Sequence, residues 1–280
     1  MIGLRRLLLA LGLTLAIGQP TAALAQVHPA GTPIVIGQSY ALPSAIMGTP
    51  REINVWLPTG YDGGAARYPV LYVLDGGQTQ DFHHISGLAQ LGTVVGTTRD
   101  VIVVGIASVD RRNELALPTD IPELVARYPT LGHSDQFRRF VAEEVMPFID
   151  GHFRTSDESA LMGESLAGLF VVETFLKAPD MFDAYIAVSP SLWWDRGALT
   201  HQSGMLVAGH PAGSRSLILT LGDEGAEMDG LMGELVASLG EHGQPDLDWT
   251  FQPRPAESHA TIYHGAALDA FRSLYAIPAP

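Results

Sequence analysis

One serine of the chain lies in a segment whose spacing suits acyl-transfer chemistry: residues 163–168 read GESLAG, of the form G-x-S-x-A-G. This pattern is typical of a sharp turn between a strand and a helix that presents the serine hydroxyl above a sheet edge. The small residues Gly163 and Ala167 allow the turn, and the N–H of Leu166 would face the oxygen that becomes charged. We therefore predict Ser165 as a nucleophile, the alternative being a serine that only caps a buried helix.

A second segment has a similar form but a different context. Residues 37–41 read GQSYA, and a leucine and a proline follow with no helix-compatible stretch after them. Ser165, in contrast, has an apolar strand before it and a helix-compatible stretch, residues 166–176, after it. Context decides between two such matches, so it favours Ser165 over Ser39.

Several segments together resemble those of a known family: residues 51–58 (REINVWLP), 72–77 (YVLDGG), 163–170 (GESLAGLF), 189–195 (SPSLWWD) and 257–259 (ESH). Over about residues 40–275 the chain resembles the putative-esterase branch of the α/β-hydrolases. That branch includes ferric-enterobactin and bacillibactin esterases, feruloyl esterases and S-formylglutathione hydrolase. The SPSLWWD segment points to the siderophore-esterase-like subgroup, and Ala167 departs from the glycine usual in the family.

A serine nucleophile needs a base, and histidine is matched to neutral pH. In this type of fold the order along the chain is serine, acid, histidine. The histidines after Ser165 are His201, His210, His242, His259 and His264. His259 stands between the last predicted strand and the last predicted helix, and the resemblance selects the same residue. His264 would lie inside that helix, so we predict a surface or packing role for it.

Three carboxylates compete for the role of the acid that orients the histidine. They follow the strand predicted at residues 217–221. Glu224 has the reach and best matches the family's glutamate, although the spacing is one residue shorter than the family implies. Asp223 is the alternative acid, but its short side chain can cap the loop instead. Glu227 is expected to begin the next helix, and a Ser–His dyad without an acid also stays open.

The oxyanion hole needs two backbone donors. We predict Leu166 as one and Gly77 as the other, with Gln78 as the second choice. The alternative for residues 75–77 is a simple tight turn. Trp193, Trp194 and Ser189 follow a buried strand and are predicted to line the substrate pocket. It is equally open that one tryptophan fills the core and the other lies on the surface.

The elements that position these residues alternate between strands and helices. Strands are predicted at residues 34–36, 53–57, 70–74, 101–106, 160–162, 184–188, 217–221 and 247–251, with helices at 81–95, 135–148, 166–176, 228–239 and 260–275. Ser134 or Asp135 is the expected N-cap of the second helix, and residues 107–133 are expected to be a loop. The alternation and the resemblance predict an α/β-hydrolase fold, a mostly parallel sheet of about eight strands with helices on both faces.

Composition excludes several classes of protein. Hydrophobic residues make up 46% and charged residues 16%, which excludes intrinsic disorder. The net charge of −14 argues against nucleic acid as a partner, because phosphate binding needs basic patches. The absence of cysteine excludes disulfides and thiolate chemistry. The adjacent His83 and His84 have no spaced partner that would support a metal site, so we predict neither metal nor cofactor.

The first residues have the features of an export signal. Arg5 and Arg6 precede an apolar run, residues 7–17, and residues 23–25 read ALA. We expect residues 1–25 to be a signal peptide and residues 26–280 to be a single domain, periplasmic or secreted, without stable membrane insertion after cleavage. The predicted activity is hydrolysis of a small-molecule ester, such as a siderophore trilactone, through an acyl-enzyme. An acyltransferase, a feruloyl or acetyl carbohydrate esterase, and a binding protein on an inactive scaffold are the alternatives.

Overall fold

The computed structural model describes residues 31–277, so the predicted signal peptide lies outside the described residues. From Ile36 onward the described residues form one compact unit. Its strands are β1 Gln38–Leu42, β2 Arg51–Trp56, β3 Tyr68–Leu74, β4 Ile102–Ile106, β5 Thr155–Glu164, β6 Ala184–Val188, β7 Arg215–Gly222 and β8 Leu247–Arg254. They form one eight-stranded sheet in the order β1-β2-β4-β3-β5-β6-β7-β8. The pairs of β1 with β2 and of β2 with β4 are antiparallel and the others are parallel, as predicted.

Helices cover both faces of this sheet. They are α1 Phe82–Val95, α2 Arg111–Leu115, α3 Pro122–Arg127, α4 Ser134–Phe140, α5 Met146–His152, α6 Leu166–Lys177, α7 Ala198–His201, α8 Ser203–Ala208, α9 Ala226–His242 and α10 Ile262–Leu274. Successive strand residues face opposite sides, so Leu71 belongs to the apolar cluster that includes α1 and α10, while Tyr72 belongs to the cluster that includes α6 and α9. The continuous apolar strands of the sequence are therefore buried on both sides. Within residues 31–277 no helix has the length and apolar character needed to cross a membrane.

The first strand lies later in the chain than predicted. Residues 31–37 have no regular secondary structure, and Ile34 is fully exposed. The strand β1 instead contains Tyr40, which pairs with Ile53 of β2 and whose ring meets those of Phe148 and Phe153 edge-on. The prediction of a strand at residues 34–36 was wrong: Ile36 packs against the core, but Ile34 and Val35 are exposed and gain no burial that would favour a strand.

The helix predicted at residues 135–148 differs at both ends and in its middle. It begins at Ser134, with His133 at the N-cap position, so neither Ser134 nor Asp135 is the cap. A π-helical segment, Val141–Val145, separates α4 from α5. Pro147 in the first turn of α5 has no N–H to donate and its ring would crowd the preceding turn. The wider π turn accommodates that proline.

Residues 107–133 were expected to be a loop, but they contain the helices α2 and α3. A buried ion pair between Arg51 Nη1 and Glu114 Oε1, 2.7 Å apart, ties α2 to the strand β2. Glu114 also accepts the backbone N–H groups of Val109 and Asp110. These bonds compensate the cost of burying its charge, which fixes the start of α2 in the fold.

Candidate active site

Ser165 is the single residue between β5 and α6, and its backbone is strained. Its φ of 61° and ψ of −118° lie where side-chain-bearing residues rarely occur. Such a conformation costs about 1–3 kcal/mol and persists only when its surroundings enforce it. Here the Ser165 N–H donates to the carbonyl of Val188 and the Ser165 carbonyl accepts from Ser191 N–H, both at 2.9 Å. The structure thus has the strand–turn–helix elbow that the G-x-S-x-A-G spacing predicts.

Small residues make the elbow possible. A Cβ atom at Gly163 would lie 2.7 Å from the Cβ of Ala167, and one at Gly168 would lie 2.9 Å from the carbonyl oxygen of Val188. Glycine is therefore required at both positions, because α6 starts directly against the ends of β5 and β6. Alanine at position 167 fits this close approach. Ser39, in contrast, is exposed in β1 with no helix after it.

The environment of the Ser165 hydroxyl leaves one backbone donor free. Its Oγ lies 3.3 Å from Ser191 Oγ, a hydrogen bond in which either group can donate. Within residues 31–277 the N–H of Leu166 donates to no acceptor. A free N–H next to a strained serine at the start of a helix is the arrangement needed to bind a developing oxyanion.

Glu224, and not Asp223, contacts His259. The Nδ1 atom of His259 lies 2.9 Å from Oε2 of Glu224, whose side chain is 12% exposed, while that of His259 is 44% exposed. Asp223 is exposed and contributes its backbone N–H, which donates to the carbonyl of Glu257 at 2.7 Å. Glu227 lies exposed in the first turn of α9, as expected. Of the three candidate carboxylates, Glu224 is therefore the one that pairs with His259.

His259 lies near the elbow but is not bonded to Ser165 in this structure. Burial raises the pKa of Glu164, the residue before Ser165, and the neighbouring charge of His259 opposes that increase. Among the described residues, however, no hydrogen bond joins Ser165 Oγ to the histidine ring. Without substrate such bonds are often long and tighten only when the substrate is bound. Ser165, Glu224 and His259 follow the parallel strands β5, β7 and β8 respectively, so they lie at the same edge of the sheet.

The N–H of Gly77, the second predicted oxyanion donor, already donates a hydrogen bond within its own loop. The N–H of Gly77 donates to Oε1 of Gln80 at 2.9 Å, and the N–H of Gln78 donates to Oε1 of Glu52 at 3.0 Å. The Gln80 N–H in turn donates to the Gly77 carbonyl at 2.9 Å, so residues 77–80 form a tight turn. For Gly77 to bind an oxyanion, the amide of Gln80 must first release this N–H.

The predicted pocket residues divide between core and surface. Trp194 is 2% exposed and its Nε1 donates to the carbonyl of Leu117 at 2.8 Å, so it fills the core. Ser189 is fully buried. Trp193 is 43% exposed and offers a free aromatic surface. One tryptophan is therefore buried and the other exposed, the alternative that the sequence left open, and the role of these three residues in a substrate pocket stays a prediction.

Charged residues that sequence analysis did not single out surround the elbow. Arg111 Nε donates to Oδ2 of Asp75 at 2.7 Å, and its Nη2 donates to the carbonyl of Glu164 at 3.3 Å. The pKa of Asp81 is raised from 3.8 to about 6, mainly by burial and also by the charge of Asp75, while Arg111 opposes this increase. The signal available in the sequence was weak: Asp75 lies in a predicted turn and Arg111 in a predicted loop.

His84, one of the two adjacent histidines, pairs with a histidine of the last helix. His84 Nε2 lies 3.0 Å from His264 Nδ1 and the two rings stack. Burial lowers the pKa of His84, and the charge of His264 lowers it further. In the described part of the chain no group of three or more potential ligands could hold a metal ion. His264 lies within α10, as predicted for a surface or packing residue.

Known proteins share both the sequence and the fold. Residues 44–221 match the model of the family described as "Putative esterase". A ferri-bacillibactin esterase of Bacillus subtilis is 32% identical over 148 residues, 47% of this chain and 50% of that protein. A siderophore enterobactin esterase of Emericella nidulans is 31% identical over 130 residues, 43% of each chain. The chain thus matches half or less of the length of these curated relatives.

Solved structures extend the likeness to almost the whole fold. An IroE-like serine hydrolase from Shewanella oneidensis has a TM-score of 0.78 at 25% identity, covering 86% of this chain and 82% of its own. The BES protein from Bacillus cereus has the same TM-score at 21% identity, covering 90% of this chain and 100% of its own. The eight-stranded sheet is therefore that of the α/β-hydrolase fold. Together with the family match, this places the chain in the Putative esterase family.

Proposed function

We propose that this protein is a serine esterase that hydrolyses carboxylic esters, with Ser165 as nucleophile, His259 as general base and Glu224 as the orienting acid. The observation that carries the proposal is the 2.9 Å contact between His259 Nδ1 and the shielded Glu224 carboxylate, close to a serine on a strained elbow. Glu224 holds the proton on Nδ1, so that Nε2 is unprotonated and able to take the serine proton.

The reaction proceeds in two acyl-transfer steps. Ser165 Oγ attacks the ester carbonyl carbon while His259 takes its proton, and the Leu166 N–H stabilises the oxyanion. The tetrahedral intermediate collapses, the alcohol leaves with the proton from His259, and an acyl-enzyme remains. Water then attacks the acyl group with His259 as base, which releases the carboxylic acid and restores the serine.

The proposed substrate is a siderophore ester, and the proposed location is outside the cytoplasm. The curated relatives named above are siderophore esterases, and the SPSLWWD segment resembles that subgroup. The exposed Trp193 offers an aromatic surface on which an aryl group of such a substrate can stack. Arg5, Arg6 and the apolar run after them support export.

The test is replacement of the nucleophile. Ser165→Ala is expected to lower kcat for p-nitrophenyl acetate by about 10⁴- to 10⁶-fold, because the nucleophile and base act as a unit. Its Tm is expected to stay that of the parent. Ser39→Ala, on the exposed side of β1, is the matched control and is expected to keep full activity. A fluorophosphonate is expected to label a peptide that contains Ser165. Equal activity in both variants would reject Ser165 as the nucleophile.

A substrate panel separates the ester classes. The panel contains a ferric and an iron-free catecholate trilactone, a feruloylated sugar and short-chain acetyl esters. We expect the highest kcat/KM for a trilactone. A higher value for the feruloylated sugar would instead assign the protein to the carbohydrate esterases.

A further inference from the structure

One guanidinium group joins the two loops that meet at the candidate active site. Arg111 donates from Nε to the Asp75 carboxylate, on the loop after β3, and from Nη2 to the Glu164 carbonyl, next to Ser165. The distances are 2.7 Å and 3.3 Å, and the Arg111 side chain is 34% exposed. No other side chain in residues 31–277 hydrogen-bonds to both loops.

Both acceptors of Arg111 lie at or next to a residue with positive φ. Asp75 has a φ of 51° and Ser165 has a φ of 61°, and residues with a side chain rarely adopt such values. Backbone in this region persists only where contacts from outside the turn hold it. The guanidinium supplies such a contact to Asp75 itself and to the peptide group that precedes Ser165.

Arg111 is itself held by a buried anchor. It is the first residue of α2, whose start is fixed by Glu114 and the buried partner Arg51. The two arginines of this helix then differ in direction. Arg111 points to the elbow, whereas the guanidinium of Arg112 lies over the ring of Tyr128, 4.0 Å from its centroid.

We propose that Arg111 is a positioning residue: it fixes the Ser165 elbow relative to the loop after β3 and supports catalysis through the serine and the Leu166 N–H, without binding the substrate. This inference rests on the proposed esterase function. Removing Arg111 leaves the Asp75 carboxylate, whose side chain is 11% exposed, without its cation and with Asp81 and Glu164 close by. Repulsion among these carboxylates then moves the two loops apart.

The test compares Arg111→Met with the matched control Arg112→Met on p-nitrophenyl acetate. We expect Arg111→Met to lower kcat by about 10- to 100-fold with KM within twofold, because displacements of about 1 Å from the reacting geometry have effects of this size. The affinity for a phenylboronic acid, which forms a tetrahedral adduct with the serine, is expected to fall by the same factor. Free guanidinium at non-denaturing concentration is expected to restore part of kcat. Arg112→Met is expected to keep kcat and boronate affinity.

A double-mutant cycle and a conservative variant complete the test. Asp75→Asn combined with Arg111→Met is expected to be hardly slower than either single variant. Arg111→Lys, which keeps the charge but not the two-donor geometry, is expected to fold with the parent Tm and to lie between the parent and Arg111→Met in kcat.

Three results would overturn the positioning role. One is a kcat of Arg111→Met and Arg111→Lys equal to that of Arg112→Met. Another is an increase in KM with kcat unchanged, which would make Arg111 a substrate-binding residue. The third is additive effects in the cycle. Ser165→Ala is assayed in parallel: if it stays active, the proposed function fails and the inference with it, whereas an inactive Ser165→Ala beside an unaffected Arg111→Met rejects only the inference.

Discussion

Glu224→Gln changes one oxygen of the acid to an amide nitrogen and leaves the shape of the side chain almost the same. In the parent protein Oε2 of Glu224 lies 2.9 Å from His259 Nδ1, and an ionised carboxylate at this distance can only accept a proton from the ring. Glutamine can place its NH₂ group toward Nδ1, and this donor favours the tautomer with the proton on Nε2. In that tautomer His259 can no longer take the proton of Ser165, so we expect kcat to fall while the fold is kept.

The size of the loss follows from burial. Replacing a fully buried acid in a serine triad by its amide lowers kcat by about 10⁴-fold. Here the carboxylate is 12% exposed but the histidine ring is 44% exposed, so water can replace part of the interaction. We therefore expect a loss of about 10²- to 10³-fold in kcat. KM for an activated acetate ester is expected to stay within about threefold, because the acid does not touch the substrate.

The assay is steady-state hydrolysis of p-nitrophenyl acetate at pH 7.5, with Tm measured for each variant. Asp223→Asn is the matched control, since it makes the same chemical change at the preceding, exposed residue and is expected to keep kcat within twofold. Near-full activity of Glu224→Gln would refute the reasoning about the tautomer and favour a Ser–His dyad. A loss of about 10³-fold in Asp223→Asn with an active Glu224→Gln would make Asp223 the acid.

Two further predictions concern the loop after β3. Because the pKa of Asp81 is raised from 3.8 to about 6, the folded protein binds more protons than the unfolded chain between these values, so stability falls as pH rises through this range. Asp81→Asn is expected to raise the free energy of unfolding above pH 6 by about 1 kcal/mol, with solvent screening included. Urea titrations at several pH values are expected to show a weaker fall of this free energy with pH than in the parent. An equal fall in both proteins would argue against a raised pKa of Asp81. If Gly77 is the second oxyanion donor, Gln80→Glu is expected to lower kcat about tenfold by holding its N–H more strongly, whereas Gln80→Met keeps or raises kcat. Equal kcat in both variants would exclude Gly77.

Local features were predictable from the sequence because neighbouring residues determine them. The elbow follows from the spacing of Gly163, Ser165 and Ala167, whose small volumes permit the turn wherever a strand precedes and a helix follows. The continuous apolar runs of the parallel strands identify a sheet buried on both sides, and the sequence also placed His259 between the last strand and the last helix.

Only the tertiary structure decided which side chains meet. Glu224 and Asp223 are adjacent, and a change of one residue reverses the direction of a side chain, so the partner of His259 depended on how the loop after β7 packs. The same holds for Trp193 and Trp194, of which one is exposed and one buried. The bridge from Arg111 to Asp75 and the Glu164 carbonyl joins three distant segments, and one of its acceptors is a main-chain oxygen. Such a contact leaves no pattern in the sequence, because every residue has a carbonyl and only the folded chain selects the one that an arginine reaches.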